Sequence, residues 1–215
     1  MKKTIFTALI AIFAFTNLNA QENDATTDYS QWQVRLRAIS VMPNESATIE
    51  TIGGDVEVDA AFVPELDFTY FFDKNWAAEL ILGTTNHDVK AVSTAAGDIK
   101  LGDVWLLPPT LTLQYHFDAG GVRPYLGTGL NYTIFYGVDE GSVADSVEYE
   151  NSIGLAFQGG LDFDLDDKWF LNLDAKYILI NTDATIDATS ALGATVGAEV
   201  DINPLVIGLG IGMKF

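Results

Sequence analysis

The sequence predicts an all-β fold, an eight-stranded antiparallel transmembrane β-barrel with short periplasmic turns and long extracellular loops. Three observations predict it. Apolar and polar residues alternate at period two in eight segments. Tight turns rich in Asp, Asn and Gly recur at roughly 45-residue intervals. The chain also opens on the pattern of a secretory leader.

The leader comes first. Lys2 and Lys3 give a positive start, Thr4 to Phe15 is a short apolar stretch, and Asn17-Leu18-Asn19-Ala20 offers a small residue at a cleavage point. Leu18 is larger than the Ala usual at its place, and the stretch is too short and wrongly flanked for a spanning helix. Residues 1–20 are therefore read as a signal peptide and 21–215 as the barrel. Losing two Lys moves the formal charge from −19 to −21, which argues against nucleic acid or an anionic surface as partner, because both need clustered Lys and Arg. With no Cys there is no lipidated Cys, and a closed barrel needs no disulfide.

The eight segments follow in order. Trp32, Val34, Leu36 and Ala38 alternate with Gln33, Arg35 and Arg37. Leu66, Phe68, Tyr70 and Phe72 alternate with Glu65, Asp67, Thr69 and Phe71. Leu80 and Leu82 flank Ile81, which shares its face with Glu79. The same alternation runs through 110–117, 126–134, 155–164 and 171–179. It ends with Leu205, Ile207, Leu209, Ile211, Met213 and Phe215 opposite Val206, Gly208, Gly210, Gly212 and Lys214.

Alternation alone also fits a soluble sandwich. Two features invert the faces so that the apolar one meets lipid and the polar one the lumen. The segments, of about ten to fourteen residues, are longer than ordinary strands, and about nine to eleven tilted residues are what a bilayer requires. Aromatics gather at segment ends, in Tyr70 to Phe72 with Trp76, Tyr115 with Phe117, and Trp169 with Phe170, as at a membrane boundary. Turns at 73–75, 118–121 and 166–168 alternate with long polar stretches near 43–60, 85–103, 137–151 and 181–202. The expectation is a bacterial outer-membrane location with both termini periplasmic.

Eight strands leave room for side chains, not an open channel. The inward faces carry Arg35, Arg37, Lys176 and Lys214 against Glu65, Asp67, Glu79, Asp162 and Asp174. Such charges must pair or be hydrated, so they form either a self-satisfied plug or an ion path. Pro108 and Pro109 precede Thr110-Leu111-Thr112-Leu113, where two ladder donors are missing, and Pro64 stands at a similar height on the second strand. These prolines mark either a strand end at a loop junction or a weak seam through which an apolar molecule leaves sideways into lipid.

The segments Trp105-Leu-Leu-Pro-Pro-Thr-Leu-Thr-Leu-Gln-Tyr-His-Phe117 and Arg123-Pro-Tyr-Leu-Gly-Thr-Gly-Leu-Asn-Tyr-Thr-Ile-Phe135 resemble the signature strands of the OmpW family. Asp167-Lys-Trp-Phe-Leu-Asn172 and the Gly-alternating C-terminus also match, with divergent loops. The resemblance implies a mainly apolar pocket, open outside and blocked toward the periplasm, that passes small hydrophobic molecules with lateral exit. It places a family constriction at Ile81 on strand three and its partner at Lys176, where some members carry an aromatic. Lys176 departs from that pattern and is free to join Asp174 and Glu79 instead. The terminal Phe215 resembles the C-terminal Phe of bacterial barrels, which is read by the assembly machinery during insertion.

Passive uptake of small hydrophobic compounds is the leading functional expectation. A structural or surface-interaction barrel (adhesion, phage or bacteriocin attachment) is the alternative. Its motive is the acidity of the first loop, with Glu45, Glu50, Asp55, Glu57 and Asp59, and of the third, with Asp139, Glu140, Asp145, Glu148 and Glu150. Such runs are ordinarily solvated faces or an adaptation to salty water, with divalent-cation binding a lesser alternative. Catalysis is not expected. His87 and His116 are the only histidines, no Ser-His-Asp arrangement can be assembled, and the Gly208-x-Gly210-x-Gly212 run lacks the context of a nucleotide loop. No cofactor or resident metal is expected. The expected partners are outer-membrane lipid and lipopolysaccharide, a small hydrophobic ligand and the barrel-assembly machinery, for a monomer.

Overall fold

A computed structural model describes residues 30–215, so the predicted signal peptide lies outside the described residues. The chain runs through β1 (Trp32–Met42), β2 (Ser46–Ile49), β3 (Asp55–Val58), β4 (Ala61–Phe71), β5 (Trp76–Gly83), β6 (Thr85–Thr94), β7 (Gly97–Leu107) and β8 (Thr110–His116). It continues through β9 (Val122–Glu140), β10 (Ser146–Tyr149), β11 (Ser152–Asp164), β12 (Trp169–Ile178), β13 (Asn181–Ala188), a single turn of helix α1 (Thr189–Leu192), β14 (Ala194–Asp201) and β15 (Leu205–Lys214).

Eight of these strands close an antiparallel barrel in the order β1-β4-β5-β8-β9-β11-β12-β15, with β15 returning to β1. They are the eight segments that alternation predicts. The outward rows, such as Leu111 and Leu113 on β8 or Leu209 and Ile211 on β15, are exposed, as a lipid-facing surface requires. Both ends of the barrel chain meet at one rim, where Trp32 N donates to Phe215 O at 3.1 Å.

Three tight turns occupy that same rim. Asp73 accepts hydrogen bonds from Asn75 N and Trp76 N at 2.7 and 2.8 Å, and Asp166 accepts from Lys168 N and Trp169 N at 2.8 Å each. These carboxylates replace the ladder partners that a reversing chain loses. The same donors hold both carboxyls below the usual carboxylate range. In the third turn, Gly120 and Gly121 take left-handed φ of 68° and 89°, which any residue with a Cβ resists. Above the turns lies an aromatic band: Trp32 packs on Tyr70 at 4.8 Å and Trp76 on Tyr115 at 5.0 Å between ring centroids. Near the other end, Trp105 packs on Tyr136 at 6.2 Å.

Two expectations need correction. Phe71 and Phe170 belong to no outer girdle, for both are buried inside the barrel. Residue parity explains it, since Tyr70 and Phe72, like Trp169 and Leu171, take the outward positions. The long polar stretches are also not irregular loops. They build β2, β3, β6, β7, β10, β13 and β14, which extend the barrel beyond its open rim as two facing sheets. One sheet is β3-β6-β7 with the upper half of β9, and the other is β10-β13-β14-β2. Val56, Val58, Val89 and Val104 from the first meet Ala184, Ile186, Val196 and Val200 from the second in one buried cluster. Asp183, Thr185 and Glu199 face out.

Candidate functional site: the lumen and its side openings

The lumen is built in layers from the turn-bearing rim upward. At the bottom lie four buried rings. Phe71 and His116 are 4.8 Å apart and His116 and Tyr125 are 4.9 Å apart between centroids, and Phe170 lies across the barrel under the Arg35 guanidinium at 5.5 Å. Glycines make room for them. A Cβ on Gly212 would stand 2.2 Å from the Phe170 ring, and one on Gly160 would stand 2.4 Å from the Tyr125 hydroxyl. Gly210 likewise leaves space for Arg37. The glycine alternation of β15 is therefore a set of sockets for large inward side chains.

Above the rings sits the charge network that the inward faces predict. Arg35 reaches Glu79 at 2.6 Å, Asp67 at 3.2 Å and Asp162 at 3.3 Å. Arg37 reaches Glu79 at 2.7 Å, Glu65 and Asp67 at 2.9 Å each and Asp174 at 3.4 Å. Lys176 contacts Glu65 at 2.6 Å and Asp174 at 3.0 Å, so it joins the network as its departure from the family pattern suggests. Strand register sets these pairs, with Arg35 opposite Asp67 and Arg37 opposite Glu65 on β1 and β4. Lys214 stands apart at the rim, bonded to Asp164 at 2.6 Å.

Neutral groups complete the layer. Gln114 and Gln158 donate to Glu79 Oε2 at 2.6 and 2.8 Å, Tyr125 donates to Asp174 at 2.7 Å and Asn172 to Asp162 at 2.8 Å. Their importance is missed by a reading that follows charge alone. For Tyr125 a signal existed, because it pairs directly with Gly160 across β9 and β11. Arg35, Arg37 and Glu79 have almost no exposure, and ion pairs in such surroundings hold only when each charge finds several partners. This layer fills the barrel.

Higher still the lining turns apolar. Ile39, Val41, Ile178, Ile180 and Val206 surround a cavity of about 50 Å³ whose floor is Glu65 and Lys176 and whose wall includes Ile81, Gly83, Thr84 and Pro108. Ile81 thus points inward beside Lys176. A second apolar cavity of about 50 Å³ lies within the extension, and His87, Leu106 and Ile202 border both.

The wall around the lower cavity is incompletely paired. The register between the β5–β6 segment and the β7–β8 segment is continuous, with Ile81 opposite Thr110 and Thr85 opposite Leu106. Between these points, Leu82–Thr84 and Leu107–Pro109 make no ladder pair with each other among the described residues, as two prolines in sequence favour. One side chain stitches this interruption, Thr84 Oγ1 donating to Leu106 O at 3.0 Å. The prolines are held instead from β9, where Asn131 Nδ2 donates to Pro108 O at 3.2 Å and Tyr132 N to Pro109 O at 3.0 Å. On the other side of β5, the ladder with β4 stops at Glu65 opposite Gly83, just below Pro64. All three predicted prolines therefore border interrupted pairing.

Comparison with known proteins fits this architecture. The chain matches the OmpW family over residues 29–215. It belongs to the OmpW family. It is 42% identical to the uncharacterized outer-membrane protein y4mB of Sinorhizobium fredii, over 86% of this chain and 80% of that one. It is 29% identical to the dibenzothiophene metabolism operon protein PahQ of Pseudomonas aeruginosa, over 86% and 89% of the two chains. The crystal structure of the outer membrane protein OprG from Pseudomonas aeruginosa superimposes with a TM-score of 0.79 at 32% identity, covering 87% of this chain and 97% of that one. This OmpW-family chain is an outer-membrane barrel.

Proposed function

We propose that this barrel passes small hydrophobic molecules across the outer membrane by passive diffusion, entering through the extension and leaving sideways through the wall. The observation that carries the reading is an apolar cavity standing directly on a filled, charged floor and beside interrupted strand pairing. A molecule that reaches the cavity meets five carboxylates and three cations below, which offer an apolar guest nothing. The relative named for a dibenzothiophene operon supports a hydrophobic aromatic class of cargo.

In this reading the turn-bearing rim, with both termini, faces the periplasm, and the acidic extension faces the medium. Ile81 and Lys176 set the depth to which a guest descends, and Pro64, Pro108 and Pro109 keep the wall beside it weakly paired. The cavity is narrow, so a guest advances by displacing aliphatic rotamers rather than through standing water. The barrel acts as a conduit, with no catalytic step.

The test is uptake of an alkane or aromatic probe by vesicles or cells carrying the protein. Val206 is buried against the cavity, and Val206→Phe is expected to reduce uptake several-fold. Pro108→Val plus Pro109→Val, which restores two ladder donors, distinguishes an exit at these prolines, where uptake falls, from one elsewhere in the wall, where it does not. Uptake equal to that of protein-free membranes overturns the proposal.

A further inference from the structure

The interruption at Pro108 and Pro109 is short and stitched, whereas the one on the opposite side of the β5–β6 segment is longer. Below, β4 and β5 pair up to Glu65 opposite Gly83. Above, β3 and β6 pair from Val58 opposite Val89, and Asp59 N donates to Asp88 O at 3.2 Å. Between these points Ala60–Pro64 faces Thr84–His87, with no ladder pair among the described residues. The stretch corresponds to about 13 Å of strand. The two registers differ by one residue, so no single alignment satisfies both ends, and the extra residue of the β3–β4 side stays unpaired.

Side-chain exposure follows this break. Phe62 is 77% exposed, the highest value among the large exposed hydrophobics. Ala61 and Val63 pack against the internal apolar cluster yet remain only partly buried, unlike Ile39 and Val41 on neighbouring β1. Inside the break, Thr84, Thr85 and His87 line the lower cavity, with Gly83 at its edge. One side-chain bond spans it: a ring nitrogen of His87, Nδ1, lies 2.6 Å from Asp59 O. The other, Nε2, lies 2.9 Å from Thr85 Oγ1 on its own strand. The carbonyl can only accept, so Nδ1 carries the proton and Nε2 accepts from the threonine hydroxyl. The same ring stands where the two cavities meet.

We infer that the lateral portal lies between Ala60–Pro64 and Thr84–His87, and that His87 is its latch, a gating residue holding the two lips together and narrowing the passage from the upper cavity to the lower. The inference deepens the transport reading and rests on it for its use, but the portal is testable without transport. When His87 swings away from Asp59, the break extends to the end of β3, and an apolar guest in the lower cavity faces lipid directly.

The chain has no native Cys, so one nitroxide-labelled Val63→Cys reports on the portal in lipid vesicles. Its collision rate with oxygen, which partitions into the bilayer, is expected to exceed that of a label at inward-facing Ile178, and to rise several-fold on His87→Ala. His87→Gln, which keeps a donor and an acceptor, is expected to restore the wild-type rate. Heat-modifiable gel migration confirms that each variant is folded. Equal oxygen collision in wild type and His87→Ala, or a Val63 label as shielded as one at Ile178, overturns the latch. A second arm bridges the lips with a thiol cross-linker in Val63→Cys plus Thr85→Cys, against Gly83→Cys plus Pro108→Cys on the other side. Loss of probe uptake only in the first pair supports the portal, and loss only in the second places the exit at the prolines and overturns it. If unmodified protein moves no probe while the labels respond as expected, the transport reading fails and the portal stands.

Discussion

The barrel and its extension are made from the same kind of strand with the faces exchanged. In β8 the outward row is Leu111, Leu113 and Tyr115, and the inward row is Thr110, Thr112, Gln114 and His116. In β13 the outward row is Asn181, Asp183 and Thr185, and the inward row is Thr182, Ala184, Ile186 and Ala188. Hydrocarbon surrounds the first and water the second, so the polarity reverses where the chain leaves the membrane. The lumen reverses with it, from an ion-paired floor to an aliphatic throat. One continuous barrel thereby holds two interiors, and the boundary between them is the candidate site.

The largest expected effect comes from the barrel interior. Arg35→Ala takes one of two guanidinium partners from Glu79 and Asp67 and a buried cation from beside Asp162, a loss of about 3–5 kcal/mol, to be read as a lowered urea midpoint in lipid or detergent. A comparable single deletion in the extension, Ile186→Ala, removes apolar contact and leaves no charge behind. It should therefore cost less, at about 2–5 kcal/mol for a fully packed site, toward the lower end beside an existing cavity.

Charge placed on the outer surface separates the regions most cleanly. Leu111→Arg puts a cation in hydrocarbon and should cost about 2–4 kcal/mol, whereas Thr185→Arg on the outer face of β13 should stay within about 0.5 kcal/mol. Equal losses for the two would break the comparison. Gly212→Ala tests the socket beneath Phe170 and should cost about 1–3 kcal/mol by overpacking, seen as a lower thermal midpoint. The smallest effect belongs to the turns. Asp73 and Asp166 are held below their ordinary values by backbone donors. The stability they add is present above the usual carboxylate range and lost as pH falls through their lowered values. Asp73→Asn should flatten that acid limb slightly.

The barrel strands were legible because lipid demands an almost unbroken apolar row, and a row such as Leu205, Ile207, Leu209 and Ile211 has little other explanation. The extension was not, because its inward residues are small and interleaved with acid, as in Thr182-Asp183-Ala184. Its pairings also join distant segments, such as Ala47 with Val200. Within the lumen the same division holds. Parity located Arg35, Arg37 and Glu79, but the partners of Arg35 lie 32, 44 and 127 residues away, and only the closed barrel says which carboxylate meets which guanidinium. Phe71 and Phe170 were readable by parity, and clustering with neighbouring aromatics concealed them. The prolines were visible from the start, and the one-residue register mismatch across His87 was not, since it depends on two hairpins agreeing.

The pairing of β1 with β15 has a consequence for how the molecule comes to exist. Gln33 pairs with Lys214 and Met42 with Leu205, so the contact that makes the cylinder joins residues 163 to 181 positions apart. The entropy of closing so large a loop grows only slowly, by roughly 0.6 kcal/mol per doubling of length, yet such non-local pairing is slow to find. Every other neighbouring pair in the barrel can zip from a turn or a nearby hairpin, and this one waits for the last strand. Until then two strands stand with unmet donors and acceptors, an invitation to foreign strands. Pairing of β15 with β1 is therefore also the moment at which the barrel ceases to be sticky.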